Sequence, residues 1–327
     1  MSTPLSSERG ICIAPRPEGR GRGSVIPLGG VRLENLNLLR IQDSEISYIE
    51  RMIGTKTVDR SRSTVPRDLP DWMIAHGRHW TTTDEIAEVL AIPVEQVPPI
   101  VARLRRAARL FSPTRGGYVP IPAEYRSWRA VPASHFIDPM MRHLDHEYYV
   151  GYLSAAEVHG AAHQRPQVFQ VITDARLNDR TFDRVRIEFT TSAKAAKRPT
   201  TGVNTPTGTM KVSVPETTVL DLVASPVHGG GLSNVATVLG ELLGDGLLDI
   251  PRLASLAKDY PAAVPQRTGW LLERVAEEVG AEVDLAPLAE VAHARLKPTP
   301  LAADGRQAGP FNHRWNILVN TDVESDL

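Results

Sequence analysis

The sequence predicts an α+β protein that is divided into two folded domains. Its 327 residues exceed the usual size of one compact domain. Between residues 68 and 122 a helical apolar pattern gives way to a short alternating one, and after residue 148 alternating segments precede a mainly helical back half. These observations predict a small N-terminal unit followed by a larger mixed α/β domain.

The first 67 residues are predicted to lie outside both domains. Residues 1–35 are rich in Gly, Pro, Ser and Arg and lack a repeating apolar face, which predicts a disordered arm. Residues 36–67 are predicted to hold a helix, from Leu36 to Ile53, and a linker. The predicted domain bounds are therefore 68–125 and 126–327.

Residues 68–91 predict two helices. The stretch "DLPDWMIAHG" predicts a first helix that Gly77 closes. Thr82 and Glu85 have the spacing of a capping box, which predicts the start of a second helix at this point.

A third helix and a β-hairpin complete the small unit. The helix is predicted between Val94 and Arg109, because apolar residues recur there at helical spacing: Val97, Ile100, Val101 and Leu104. The following "LFSPTRGGYVPI" alternates as two strands joined by a turn with two glycines. Three helices and a hairpin in this order are typical of a winged helix-turn-helix domain.

Positive charge is concentrated in this unit. Five arginines and one acidic residue lie between Val94 and Tyr118, a local charge of +4. We predict that three side chains opposite the apolar face approach base edges of double-stranded DNA: Gln96, Arg103 and Arg106. Further DNA contacts are predicted for Thr83, Arg105, Arg109, Thr114 and Arg115. A solvated basic face and a protein-interaction module are the alternatives.

The larger domain is predicted to combine strands with a helical back half. Strands are predicted over 167–173, 184–190 and 210–215, and a last strand over 313–320. "PETTVLDLVASP" predicts a helix with Glu216 in its first turn, where backbone amides favour an anion. Helical patterns continue from Leu232 to Leu296.

A second basic surface is predicted within this domain. Its residues are Arg176, Arg180, Arg184, Arg186, Lys194, Lys197 and Arg198. This surface could hold DNA phosphates or meet an acidic partner. A solvated, partly mobile loop through "TTSAKAAKRPTTG" is the alternative.

Two enzymatic interpretations are weaker than a binding function. His159 and His163 are four residues apart and could share a metal, but no second ligand cluster accompanies them. Asp183, Glu188 and Lys194 resemble a nuclease site only loosely in spacing. We therefore predict no catalysis, no metal and no cofactor. A ligand-sensing regulator is a third hypothesis.

Short motifs in the larger domain resemble the AbiEi-type antitoxin family. The first is "YYVGYLSAAEVHG", followed by Gln164 and Pro166, which lead into the strand "VFQVIT". The second is "VSVPETTVLDLVASP", with Pro215, Glu216, Thr218 and Asp221, and a "GGLSNV" helix start follows it. The resemblance covers residues 68 to 320 or so, and the order of its motifs is more specific than any one of them.

The resemblance implies a repressor of its own operon that counters a nucleotidyltransferase-like toxin encoded alongside. In this family neutralisation is often described as not requiring a stable complex. The resemblance therefore does not imply whether this chain contacts the toxin directly. The expected partner is operator DNA with inverted repeats, bound by a protein that is a monomer in solution or a dimer on DNA. Cys12 is the single cysteine, and the sequence lacks an apolar stretch of membrane-spanning length, which together predict a cytoplasmic protein.

Overall fold

The structure is a computed structural model that describes residues 64–162, 166–294, 297–305 and 308–327. The predicted arm of residues 1–35, the predicted helix of residues 36–53 and His163 lie outside these ranges. The described chain combines α-helices with β-sheets, so the predicted α+β class is confirmed.

The first helices follow their sequence signals. Helix α1 spans Leu69–Ala75, and strand β1 spans Thr81–Thr82. Helix α2 spans Thr83–Leu90 and begins with both bonds of the predicted capping box. The Glu85 amide donates to the hydroxyl of Thr82, and the Thr82 amide donates to the carboxylate of Glu85 at 2.8 Å.

Helix α3 spans Val97–Arg106 and ends earlier than the predicted Arg109. The chain leaves the helix because Ala108 takes a left-handed φ of +50°. The Arg109 amide then donates to the carbonyl oxygen of Leu104 at 2.9 Å. This geometry is a Schellman-type helix end, which supplies donors to the carbonyl groups of the last turn.

Strands β2 (Leu110–Thr114) and β3 (Gly117–Pro120) form an antiparallel hairpin, and β1 pairs with β3. Successive side chains of a strand point to opposite faces. Leu110 belongs to the core that α1, α2 and α3 form, whereas Phe111 and Val119 belong to a second core formed with the following domain. The hairpin therefore lies between two hydrophobic cores.

The larger part of the chain is built on a six-stranded sheet. Its strands are β4 (Tyr148–Val150), β5 (Phe169–Thr173), β6 (Arg180–Phe182), β7 (Val185–Thr191), β8 (Thr200–Thr205) and β9 (Gly208–Ser213). Their spatial order is β6-β7-β5-β4-β9-β8. The central strands β4 and β5 are antiparallel, and each pairs in parallel with its outer neighbour, β9 or β7. The antiparallel hairpins β6–β7 and β8–β9 form the two sides.

The predicted strands β5, β7 and β9 are confirmed with small shifts at their ends. The loop interpretation of residues 190–202 is wrong at both ends, because residues 190–191 belong to β7 and residues 200–202 belong to β8. All residues of β8 are exposed or half-buried, because it is an edge strand. It consequently lacks the apolar alternation by which half-buried strands are identified in a sequence.

Helices cover the sheet and make up the back half, as predicted. They are α4 (Ile137–His143), α5 (Tyr152–Val158), α6 (Pro215–Ala224), α7 (Leu232–Gly244), α8 (Ile250–Ala257), α9 (Ala263–Val279) and α10 (Ala286–His293). Helices α6 to α10 share one large hydrophobic core. None of the helices that the structure describes has both the length and the apolar surface that a membrane crossing requires.

The end of the chain forms a small sheet instead of the long strand predicted over 313–320. Strand β10 (Thr299–Pro300) pairs with β12 (Ile317–Leu318), which also pairs with β11 (Phe311–Asn312). Trp315 is fully buried just before β12, and a Cβ atom on Gly269 would overlap with its ring. The strand is short because Trp315 anchors this segment on α9.

We expect Phe111→Ala to lower the free energy of unfolding by about 3–5 kcal/mol, because it empties a buried position between the hairpin and the sheet. Chemical denaturation followed by circular dichroism measures this loss. Val94→Ala, at an exposed apolar residue of the same unit, is the control and should change stability by less than about 0.5 kcal/mol. Equal stability of the two variants would contradict the placement of the hairpin between two cores.

Candidate functional site

The exposed face of α3, together with Gln96 directly before its first residue, carries the side chains predicted to approach DNA bases. Gln96, Arg103 and Arg106 are exposed, as is the neighbouring Arg105, whereas Val97 is buried on the other side. The Arg106 Nε donates to a backbone carbonyl one turn earlier at 3.3 Å, so its guanidinium lies along the helix. This face therefore presents three guanidinium groups to solvent.

Three further side chains of this unit that were predicted to contact DNA are less accessible. Arg109 is half-buried, and its Nη2 donates to Asp71 Oδ2 at 2.6 Å. Thr114 is buried, with 7% of its surface exposed. Thr83 is half-buried, and its hydroxyl lies 3.4 Å from that of Tyr118. The structure uses Arg109 and Thr114 for internal contacts, which the sequence pattern did not indicate.

The turn of the β2–β3 hairpin presents Arg115 to solvent while its backbone is held. The Arg115 side chain is exposed, and Gly116 follows it at a φ of +76°. The Arg115 carbonyl oxygen accepts a hydrogen bond from His143 Nε2, on α4, at 3.1 Å. The hairpin turn thus has a fixed point of contact with the larger domain.

The structure divides the predicted second basic surface into exposed and internally bonded side chains. The exposed members are Arg176, Arg184, Arg186, Lys194 and Lys197. Arg180 is half-buried and donates from Nη1 to the Pro113 carbonyl oxygen at 2.6 Å, and burial lowers the pKa of its guanidinium. The Arg198 guanidinium lies 3.6 Å from the centre of the Tyr260 ring. Arg180 and Arg198 therefore have structural contacts that sequence could not indicate.

The residues of the nuclease hypothesis are not brought together. Asp183 lies in the turn before β7, at a φ of +53°, and Glu188 lies within that strand. Glu188 Oε1 lies 3.3 Å from His228 Nδ1, and Lys194 donates to a backbone carbonyl of another segment. These three side chains therefore do not form a common site.

His159, one of the two histidines considered as metal ligands, contacts the backbone of β9. Its Nε2 lies 2.7 Å from the Ser213 carbonyl oxygen, and burial lowers the pKa of its imidazole. His163 is outside the described residues. Within the described ranges, no group of three or more His, Cys, Asp or Glu side chains has the arrangement of a metal site.

The motif that opens α6 is buried inside the larger domain. Pro215 is the first helical residue, and Glu216 is in the first turn as predicted. Glu216 is buried, and its Oε1 accepts a hydrogen bond from the Asp249 amide at 3.1 Å. The Thr218 hydroxyl lies 2.7 Å from that of Ser213. These polar side chains connect α6 to β9 and to the start of α8.

Asp221 is the centre of a buried polar network. Its Oδ2 accepts a hydrogen bond from Tyr149 Oη at 2.8 Å, and its Oδ1 accepts one from Tyr260 Oη at 2.7 Å. Burial raises the pKa of the Asp221 carboxyl to about 6, although the two tyrosine donors and Arg198 act in the opposite direction. The network joins β4, α6 and the turn after α8.

Sequence reasoning missed a neighbouring cluster around His228. Tyr152 takes a φ of +51° and stacks on His228, with ring centres 4.4 Å apart. Gln170 is buried, donates to the His228 carbonyl oxygen at 3.0 Å, and accepts from the Leu153 amide at 3.0 Å. Neither spacing nor charge indicates this cluster in the sequence, because its members come from distant segments.

The fold and the buried polar network define an α+β protein in which a three-helix unit with a hairpin precedes a sheet domain with a helical back half. Residues 149–274 of the chain match the family model described as AbiEi antitoxin C-terminal domain. The predicted resemblance to AbiEi-type antitoxins is therefore confirmed, and the match indicates an antitoxin role. It runs from β4 into α9 and includes the whole Asp221 network.

Among solved structures, the chain is similar to the RV2827C protein from Mycobacterium tuberculosis. The TM-score is 0.54 at 15% sequence identity, and the matched region covers 76% of this chain and 89% of that chain. At this identity the likeness concerns the fold alone. None of the curated proteins matches the chain in sequence.

Asp221→Asn should change how stability depends on pH. Because the native pKa of Asp221 is raised to about 6, its stabilising contribution is present at low pH and is lost as the pH rises through that value. Relative to wild type, Asp221→Asn should therefore gain about 2–3 kcal/mol of unfolding free energy between about pH 4 and pH 7.

Denaturation of both proteins at the two pH values measures this gain. Thr218→Val is the control, because it changes a buried side chain of the same helix that does not titrate. It should keep the wild-type pH dependence. If the unfolding free energies of Asp221→Asn and wild type differ by the same amount at both pH values, folding does not raise the pKa of Asp221, which would contradict the prediction.

Proposed function

We propose that the chain is a DNA-binding antitoxin that represses its own operon and counteracts a nucleotidyltransferase-like toxin encoded beside it. The observation that carries the DNA-binding part is the exposed arginine face of α3, within a unit of three helices and a hairpin. In this proposal the unit is a winged helix-turn-helix, with α2 and α3 as the two helices of the motif and β2–β3 as the wing.

Helix α3 is the proposed recognition helix, lying in the major groove. Gln96, Arg103 and Arg106 would contact base edges, since guanidinium and amide groups can make paired hydrogen bonds to guanine or adenine. Arg105 and Arg115 would contact phosphates or the minor groove. Their exposure supports this assignment.

The remaining predicted contacts have smaller parts in the proposal. Thr83, the first residue of α2, is kept as a minor DNA contact. Arg109 and Thr114 are omitted, because the first is paired with Asp71 and the second is buried. The exposed members of the second basic surface could add phosphate contacts.

The proposed function has no catalytic step and no cofactor. Its support is the separation of Asp183, Glu188 and Lys194, each of which lies in a different setting. The antitoxin activity is assigned to the matched domain of residues 149–274. We further propose a cytoplasmic location, because both the operon and the toxin's synthesis are there, and binding of two copies to paired half-sites.

The first test is fluorescence anisotropy on duplex DNA from directly upstream of the gene that encodes this chain. A scrambled duplex of the same composition is the comparison, across a salt series. We expect the affinity for the upstream duplex to exceed that for the scrambled duplex by a factor of about 10³ or more. The logarithm of the affinity should fall linearly with the logarithm of the salt concentration. Equal, weak binding to both duplexes would contradict sequence-specific repression.

Alanine variants should separate base contacts from phosphate contacts. Arg103→Ala should cost about 1–3 kcal/mol on the upstream duplex and relax its sequence preference, because a base contact is lost. Arg105→Ala should weaken binding to both duplexes alike and lower the salt slope by about 1. Arg274→Ala, on the distant helix α9, is the matched control and should leave binding unchanged. Unchanged binding with Arg103, Arg106 and Arg115 all replaced would exclude this interface.

DNA binding and toxin neutralisation should be separable. The triple alanine variant of Arg103, Arg106 and Arg115 should lose repression of a reporter behind the upstream DNA. It should still rescue growth when the neighbouring toxin gene is expressed from an unrelated promoter, because the matched antitoxin domain is intact. Loss of rescue by a variant with wild-type stability would show that neutralisation also depends on the arginine face.

A further inference from the structure

The β2–β3 hairpin contacts the larger domain through both apolar and polar groups. Phe111 packs edge-on against Phe136, with ring centres 5.2 Å apart, and against Phe182, at 5.6 Å. Phe182 lies in β6, and Phe136 immediately precedes α4. One face of the hairpin is therefore buried against the sheet domain.

Two polar contacts fix the hairpin backbone near its turn. Arg180, in β6, donates to the Pro113 carbonyl oxygen at 2.6 Å. His143, at the end of α4, lies with Nε2 3.1 Å from the Arg115 carbonyl oxygen. Both acceptors are backbone atoms on either side of Thr114, so the contacts hold the course of the chain and do not depend on side-chain identity there.

Trp80 also packs against the hairpin. Its ring lies against Gly117, where a Cβ atom would overlap with it, and its ring centre is 5.5 Å from that of His143. Gly117 thus allows β3 to approach the indole closely. The turn carrying Arg115 is held by contacts from α4, from β6 and from the segment before β1.

We infer that Arg180 and His143 are positioning residues for operator binding, which hold the hairpin so that Arg115 faces the DNA next to α3. The inference rests on the proposed DNA-binding function. It gives the half-buried Arg180 a contact within the protein, whereas the sequence analysis grouped Arg180 with a basic surface that could hold DNA phosphates or meet an acidic partner. Through Arg180 and His143 the larger domain then contributes to DNA affinity, although neither residue contacts DNA.

The expected effect on DNA affinity depends on the fraction of molecules in which the hairpin is held against the larger domain, which is the docked state. When only a fraction of molecules has the competent conformation, the apparent dissociation constant rises by the inverse of that fraction. Removing a charge-assisted hydrogen bond from a partly buried site shifts such an equilibrium by about tenfold or more, and the affinity falls by up to that factor, depending on how strongly the docked hairpin dominates in wild type. Because Arg180 has no phosphate contact in this arrangement, its loss should leave the number of released counterions unchanged.

Arg180→Gln is the test variant, and Arg176→Gln is the matched control, since Arg176 is an exposed arginine shortly before the same strand. Binding of the full chain to the upstream duplex is measured by anisotropy across a salt series. Arg180→Gln should weaken binding several-fold, and by up to about tenfold, with an unchanged salt slope. Arg180→Lys keeps a cationic donor and should recover part of the affinity.

Hydrogen exchange of the free proteins provides a readout that does not involve DNA. In Arg180→Gln and in His143→Ala, amides of residues 111–119 should exchange several-fold faster than in wild type, whereas those of α1 and α2 should not change. Faster exchange throughout the unit would indicate general destabilisation and would overturn a specific positioning role.

The binding outcomes distinguish the inference from the function on which it rests. A salt slope lowered by about 1 in Arg180→Gln would make Arg180 a phosphate contact and overturn the inference. Wild-type affinity in Arg180→Gln, with wild type binding its upstream duplex specifically, would overturn the inference and leave the proposed function standing. Failure of wild type to prefer the upstream duplex would overturn both.

Discussion

The hairpin of β2 and β3 is the constraint on which the arrangement of the described chain depends. Its alternating side chains contribute to two cores, with Leu110 on the side of the three helices and Phe111 and Val119 on the side of the sheet domain. A strand pair that is buried on both faces cannot shift its register by one residue without exposing both sets of apolar side chains. The position of α3 relative to the sheet domain is therefore set by the hairpin.

The same arrangement decides which arginines are available to a partner. Arg103, Arg105 and Arg106 lie on the face of α3 away from its core, so their guanidinium groups stay in solvent. Arg109, only a turn further along, reaches Asp71, and Arg180 reaches the backbone of the hairpin. A guanidinium that is already bonded and partly buried would lose those contacts on meeting a phosphate, which reduces what it could add to binding.

The buried polar side chains of the matched region, residues 149–274, have a related structural role. Asp221, Glu216 and Thr218 are the residues by which the α6 motif is recognised, and all three are buried with partners from other elements. A buried carboxylate needs hydrogen bonds to offset its desolvation, and the two tyrosines supply them to Asp221. The motif thus marks how α6 is attached to the sheet and to the start of α8.

The sequence by itself determined the elements that local periodicity and capping encode: the three helices, the hairpin, β5, β7, β9 and the helical back half. It also determined the exposed arginine face, because a helix with one apolar stripe fixes which side chains point away from it. Tertiary structure alone decided the edge strand β8 and the internal contacts of Arg180, Arg198 and Thr114. These depend on which distant segments meet, such as Pro113 and Arg180, and a one-dimensional pattern carries no information on pairs of residues so far apart in the chain.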